Sequence, residues 1–135
     1  MVTGEEASEV EVPLHETLDI VTEEATPDRV VLTMAVGSKV HQPMGLLHGG
    51  VSAVLAESAA SMGSQLNVDP GAQTAVGVDL NITHLRSVKS GIVRATAVPL
   101  RRGRTLHVWS VDIAADDGRL VAVARCTVAV RPLPD

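Results

Sequence analysis

The pattern of apolar and polar positions divides the chain into one long helix and a set of strands. From Gly49 to Leu66, Val51, Ala53, Val54, Leu55, Ala56, Ala59, Ala60 and Met62 leave no polar face. The spacing predicts a helix buried on most sides. Asn67, Asp69, Pro70 and Gly71 stop it. Before it, Leu14 to Val21 and Arg29 to Val36 read as strands, with a turn at Thr26-Pro27-Asp28 between them. Gly37 to Leu47 reads as a loop. After the helix, Val76, Val78, Leu80 and Ile82 alternate with Gly77, Asp79, Asn81 and Thr83, which predicts a strand with one apolar face. Ile92 to Leu100 follows, then a turn at Arg102-Gly103 into Arg104 to Ala114. Asp117-Gly118 is a hairpin signal into Leu120 to Val130.

Two strands, one long helix and four strands on short turns make an α+β fold with a mainly antiparallel sheet. A helix apolar all round needs more cover than one flat sheet gives. Either the sheet curls around it or a second subunit helps. Residues 1–12 read as a flexible acidic N-terminus and 13–135 as a single domain.

Composition sharpens this picture. The 135 residues include no Phe, no Tyr and one Trp, so the core must be Val, Leu, Ile, Ala and Met. That mixture favours strands over a helix bundle. The single cysteine, Cys126, excludes an internal disulfide and a multi-cysteine zinc site, and reads as a small core residue. No apolar run is long enough to span a bilayer and no signal peptide is visible, so a cytoplasmic protein is expected.

The net charge of −5 is unevenly spread. Residues 1–38 carry nine acidic residues against one arginine, whereas residues 80–131 carry nine basic residues against three aspartates. The basic excess suits a phosphate-bearing ligand. Nucleic acid is disfavoured, because base-stacking aromatics are nearly absent and the whole protein is acidic.

Candidate chemistry gathers on the helix. Between Lys39 and Asp69, Glu57 is the only Asp, Glu, Lys or Arg. A carboxylate on a buried helix is costly unless it is hydrogen-bonded or functional. Ser61 stands four residues on, where it can hold that carboxylate. His48-Gly49-Gly50 marks the helix start, where unpaired N–H groups and partial positive charge meet. A carbonyl oxygen against the Gly49 N–H would be polarised as in an oxyanion hole. Gly49 and Glu57 are eight residues apart, about 12 Å along one axis. One acyl carbon cannot touch both. A site using both needs two helices, hence a homodimer with antiparallel central helices and shared sites.

At these residues the sequence resembles the hotdog-fold acyl-CoA thioesterases of the 4-hydroxybenzoyl-CoA thioesterase type that use a helix glutamate. It is most similar to the phenylacetate-pathway, enterobactin-proofreading and 1,4-dihydroxy-2-naphthoyl-CoA thioesterases. The resemblance runs from Val30 onward. It is carried by Gln42-Pro43-x-Gly45-Leu46-Leu47-His48-Gly49-Gly50, by Val54-Leu55-Ala56-Glu57-Ser58 and by His84-x-Arg86-Ser87. It implies a curved, mainly antiparallel sheet wrapped around one long central helix. It also implies hydrolysis of an acyl-CoA or aroyl-CoA thioester with no metal and no cofactor. Gly49 would polarise the carbonyl. Glu57 of the opposite subunit would attack the acyl carbon or activate water. Gln42 and His48 would orient the thioester, and Ser61 would support Glu57 or the water. Arg86, Ser87 and one or both of Arg102 and Arg104 would meet the CoA nucleotide. Dimers pairing into tetramers are common in the family.

Two other readings compete. One is a non-catalytic acyl-CoA-binding protein, which needs no carboxylate at the thioester. The other is a hotdog-fold dehydratase or hydratase, whose histidine-based motif matches less well. The remaining histidines, His15, His41, His84 and His107, lack metal-ligand spacing and read as surface or turn residues, with His84 shaping the loop on the CoA side.

Overall fold

Pro13 opens a helix where a strand was expected. In the computed structural model, which describes residues 11–134, Pro13–Leu18 forms a short helix, α1. Proline is tolerated at a first helical position because that N–H has no partner anyway. Leu14 and Leu18 are four apart, a helical spacing misread as part of a strand. The left-handed Asp19, with φ of 56°, ends the helix, and its N–H donates back to the carbonyls of His15 and Glu16. Strand β1 therefore spans Ile20–Thr26. The expected acidic N-terminus at 1–12 lies outside the described residues except for Glu11 and Val12.

The turn after β1 is where the sequence places it. Thr26 Oγ1 accepts from the N–H groups of Asp28 and Arg29, and β2 runs from Arg29 to Val36. A short 3-10 turn at Ser38–Val40 leads to the long helix α2, Gly49–Gln65. Strands β3 (Gln73–His84), β4 (Gly91–Arg102), β5 (Leu106–Ala115) and β6 (Leu120–Pro132) complete the chain. All pairings are antiparallel, and the order across the sheet is β1-β2-β4-β5-β6-β3. The six strands hold α2 against one face, the hotdog arrangement.

The core lies between α2 and the sheet. Leu55, Ala56, Ala59 and Ala60 face Leu32, Met34, Val93, Val111 and Ile113, all nearly or fully buried. Truncating one of the larger side chains to alanine costs roughly 2–5 kcal/mol in such a site. Trp109, the one aromatic, lies so close to Gly63 that a Cβ there would stand 2.4 Å from its ring. Glycine at 63 is thus a packing requirement. The indole Nε1–H donates to Ser64 Oγ at 2.7 Å.

Two expectations need correction. First, α2 is not covered on most sides within one chain. Gly50, Glu57 and Gln65 are exposed, and Ala53, Val54, Ser58 and Ser61 are half-buried. The sheet covers only the opposite side of the helix. Second, the expected apolar face of β3 is broken. A bulge between Gly77 and Asp79 inserts one residue, and a one-residue slip moves side chains to the other face. Leu80 and Ile82 pack on the core, whereas Val76 and Val78 are 48% and 52% exposed. Strand β3 is an edge strand, so this apolar rim is uncovered in the single chain.

Candidate active site

The loop before α2 is built by backbone hydrogen bonds that aim Gly49 into a cleft. Leu47 N–H donates to the Val88 carbonyl at 2.7 Å, and His48 N–H to the Val40 carbonyl at 2.8 Å. The His48 carbonyl accepts from Val51 and Ser52, which starts the helix. The His48 ring caps it: Gly50 N–H donates to Nδ1 at 2.8 Å. A ring accepting at Nδ1 is neutral and carries its proton on Nε2. Among the described residues the Gly49 N–H has no acceptor. It stands at the positive end of α2 with its donor free.

A cleft of about 310 Å³ opens beside this N–H and is bordered by Gln42, Gly49, Ser52, His84, Arg86 and Ser87. Gln42 is held at its oxygen, because Met44 N–H donates to Oε1. Its amide hydrogens are left as donors. The backbone N–H groups of Leu85 and Arg86 both donate to the Val121 carbonyl, at 2.8 and 3.2 Å, which fixes the strand end that carries Arg86. The Arg86 guanidinium is exposed and has no ion-pair partner among the described residues. Gln42, Gly49, Arg86 and Ser87 are therefore brought together.

Glu57 is not in that cleft. It borders a separate depression of about 280 Å³, with Gly50, Ala53, Val54, Ser58 and Leu80. Its side chain lies over β3 at the bulge, where a Cβ on Gly77 would stand 3.0 Å from the carboxyl carbon. No hydrogen bond joins Glu57 to Ser61 among the described residues. In one chain Glu57 is an exposed carboxylate, not the buried one the helix pattern implied.

The thioesterase superfamily matches residues 44–122, more than half of the chain. The chain belongs to the thioesterase superfamily. Its chemistry is thioester hydrolysis. This thioesterase is 42% identical over 113 residues to a 1,4-dihydroxy-2-naphthoyl-CoA hydrolase of Escherichia coli, covering 84% of this chain and 82% of that protein. It is 39% identical over 115 residues to the proofreading thioesterase EntH of Cronobacter sakazakii, covering 85% and 83%. Among solved structures, a thioesterase of Pseudomonas aeruginosa with one glutamine replaced by alanine gives a TM-score of 0.86 at 44% identity, covering 89% of this chain and 86% of that one. A thioesterase of Staphylococcus aureus gives 0.87 at 39%, covering 90% and 100%. Two solved variants of that staphylococcal protein replace a glutamine and a glutamate that stand fifteen positions apart.

Other residues singled out from the sequence fall elsewhere in this thioesterase. Arg102 is at the far end of β4, away from the Gly49 cleft. Its Nη1 donates to Asp28 Oδ1 at 2.6 Å and also to the Pro27 carbonyl and Asn67 Oδ1. It ties β4 to the β1–β2 turn and the end of α2. Arg104 is exposed in the turn after β4, at the same far end. Within one chain neither joins Arg86.

His107 is a buried core residue and not a surface one. Trp109 donates to Ser64 Oγ, and Ser64 Oγ lies 2.8 Å from His107 Nδ1. Burial lowers the pKa of His107. Its bond to the Gly103 carbonyl opposes that shift, and the charge of Arg102 adds to it. Cys126 is fully buried, and burial first, then the charges of Glu57 and Asp79, push its thiol up to about 11. At neutral pH it is an inert core thiol.

The residue underrated from the sequence is His84. Its ring lies against Gly49, with Nε2 2.9 Å from where a Cβ would stand. The signal was present: Leu80, Ile82 and His84 share one parity on β3, so the exposed imidazole leaves the strand on the same side as the two apolar residues, toward the start of α2.

Proposed function

We propose that the protein hydrolyses an acyl-CoA or aroyl-CoA thioester to the free acid and CoA in a homodimer whose two sites each combine both chains. Gly49 N–H polarises the thioester carbonyl at the start of α2. Glu57 of the opposite subunit attacks the acyl carbon, or removes a proton from the water that attacks it. The C–S bond then breaks, and CoA leaves as a thiolate and takes up a proton. Where water is the nucleophile the acid forms directly; where Glu57 is, the acyl group is left on its carboxylate as a mixed anhydride, which a water molecule cleaves to release the acid and restore Glu57. The amide hydrogens of Gln42 and the outward Nε2–H of His48 orient the thioester. Ser61 supports Glu57 or the water, and Arg86 and Ser87 meet the CoA nucleotide.

One observation carries the reading. The free Gly49 N–H and Glu57 stand on one helix yet open onto two different depressions. Neither depression holds both a carbonyl-polarising donor and a carboxylate. A second α2 packed antiparallel on the uncovered face brings a Glu57 to each Gly49, and the exposed Val76 and Val78 on the β3 edge favour covering that same side. The fifteen-position spacing of the replaced glutamine and glutamate in the staphylococcal thioesterase equals that of Gln42 and Glu57, which supports their selection as reacting-site residues.

Thiol release from a small acyl-CoA panel, run on wild type and Glu57→Ala, tests the proposal. The wild type should turn over at least one thioester, and the folded variant should lose turnover. Near-wild-type hydrolysis by a folded Glu57→Ala protein ends the catalytic reading of this residue.

A further inference from the structure

Among the described residues three polar side chains are buried: Ser52, Ser64 and His107. Ser64 and His107 bond to each other, and Trp109 donates to Ser64. Ser52 is different. It is 1% exposed, and its hydroxyl has no hydrogen-bond partner among the described residues. Yet no side-chain oxygen or nitrogen among those residues is both sealed from solvent and unpaired. The sliver of Ser52 that is still accessible is therefore at the hydroxyl. The depression it borders is the Gly49 cleft. A hydroxyl withdrawn from bulk water with no partner is costly unless a ligand completes it.

Helix geometry sets its place. Ser52 follows Gly49 by three residues, on the same face and about 4.5 Å further along the axis. Side chains on a helix lean toward its N-terminus, so this hydroxyl leans back toward the Gly49 N–H. Leu46, Leu47, Leu85 and Val121 give the cleft apolar side chains, and Arg86 and Ser87 stand exposed on its border. A CoA thioester with its carbonyl at Gly49 and its nucleotide at Arg86 runs its pantetheine arm through this cleft. The first amide of that arm is two methylenes from the sulfur, a reach comparable to the offset between Gly49 and Ser52. A hydroxyl both donates and accepts, so it can serve either side of an amide.

We propose that the Ser52 hydroxyl binds the pantetheine amide nearest the thioester sulfur and so holds the carbonyl at the Gly49 N–H. The inference rests on the thioesterase reading above and adds to that site a residue that recognises the arm of its substrate. The buried hydroxyl is completed by an amide and left unpaired by an alkyl chain, which is the basis of the selection.

The test compares three hexanoyl thioesters, of CoA, of N-acetylcysteamine and of pentanethiol. The second keeps only the first amide of the arm, and the third replaces that amide with methylenes. Ser52→Ala should lower kcat/KM roughly tenfold for the first two, the worth of one hydrogen bond. It should leave the pentyl thioester nearly unchanged. Its melting temperature should match or exceed that of wild type, since no bond within the protein is lost. Equal losses on all three thioesters, or a lowered melting temperature, assign the hydroxyl to the fold and overturn the inference. No loss on any of them leaves the hydroxyl to water and overturns it too. Calorimetry with the hexanoyl-CoA analogue in which a methylene replaces the thioester sulfur reads the same contact without turnover. Its Kd should rise about tenfold in Ser52→Ala, and an unchanged Kd overturns the inference. A Kd that depends on Ser52 in a protein that hydrolyses none of the three thioesters keeps this contact and overturns the proposed function instead.

Discussion

The imidazole of His84 lies directly over the Cα of Gly49, with Nε2 2.9 Å from the position a Cβ would take. The end of β3 and the start of α2 thus meet at a glycine whose N–H has no acceptor among the described residues. Gly49→Ala forces that ring aside and narrows the cleft at the carbonyl position. We expect at least tenfold loss in kcat/KM with a melting temperature within a few degrees of wild type. Unchanged activity would mean that the ring moves without consequence and that this contact is incidental.

Stability should depend on pH through the buried His107. Its pKa in the fold is lowered, and so is that of His15. The unfolded chain then binds these protons more readily than the folded one, so their effect on stability is absent above pH 6.5 and destabilising as pH falls below it. Protonation at Nδ1 also removes the acceptor for the Ser64 hydroxyl. Urea midpoints should drop from pH 7 to pH 5 in wild type. In His107→Gln, less stable at pH 7, the drop should be smaller. An equal drop in both proteins would assign the pH dependence to other groups.

Much of this fold was legible because its signals are local. The Thr26-Pro27-Asp28 turn, the Asp117-Gly118 hairpin and the α2 boundaries depend on a few adjacent residues. What was misread depended on tertiary partners or on one inserted residue. The bulge between Gly77 and Asp79 leaves no mark in an alternating pattern, so Val76 and Val78 were assigned to the wrong face. The composition of α2 does not reveal which side the sheet covers, so Glu57 was read as buried. Arg102 sits in a basic run, but its partner Asp28 is far away in sequence. The separation of Gly49 from Glu57 is legible without any tertiary partner, because helix rise alone sets it.

Arg86 carries the expected contact to the CoA phosphates. Arg86→Ala should raise KM for CoA thioesters several-fold more than for the matching pantetheine thioesters, which lack the nucleotide. The difference should shrink with added salt, since exposed charge pairs are screened. Equal effects on the two substrate types would place Arg86 outside nucleotide recognition.

The central claim is that each site takes its N–H donor from one chain and its carboxylate from the other. Mixed dimers test it most directly. One chain carries Glu57→Ala and the other Gly49→Val, each inactive as a homodimer, and the heterodimer is purified by two different tags. One of its two sites then combines an intact Gly49 with an intact Glu57, while the other carries both defects. Two-fold symmetry predicts about half of the wild-type activity per dimer. A correctly folded heterodimer that hydrolyses no thioester would contradict the shared site.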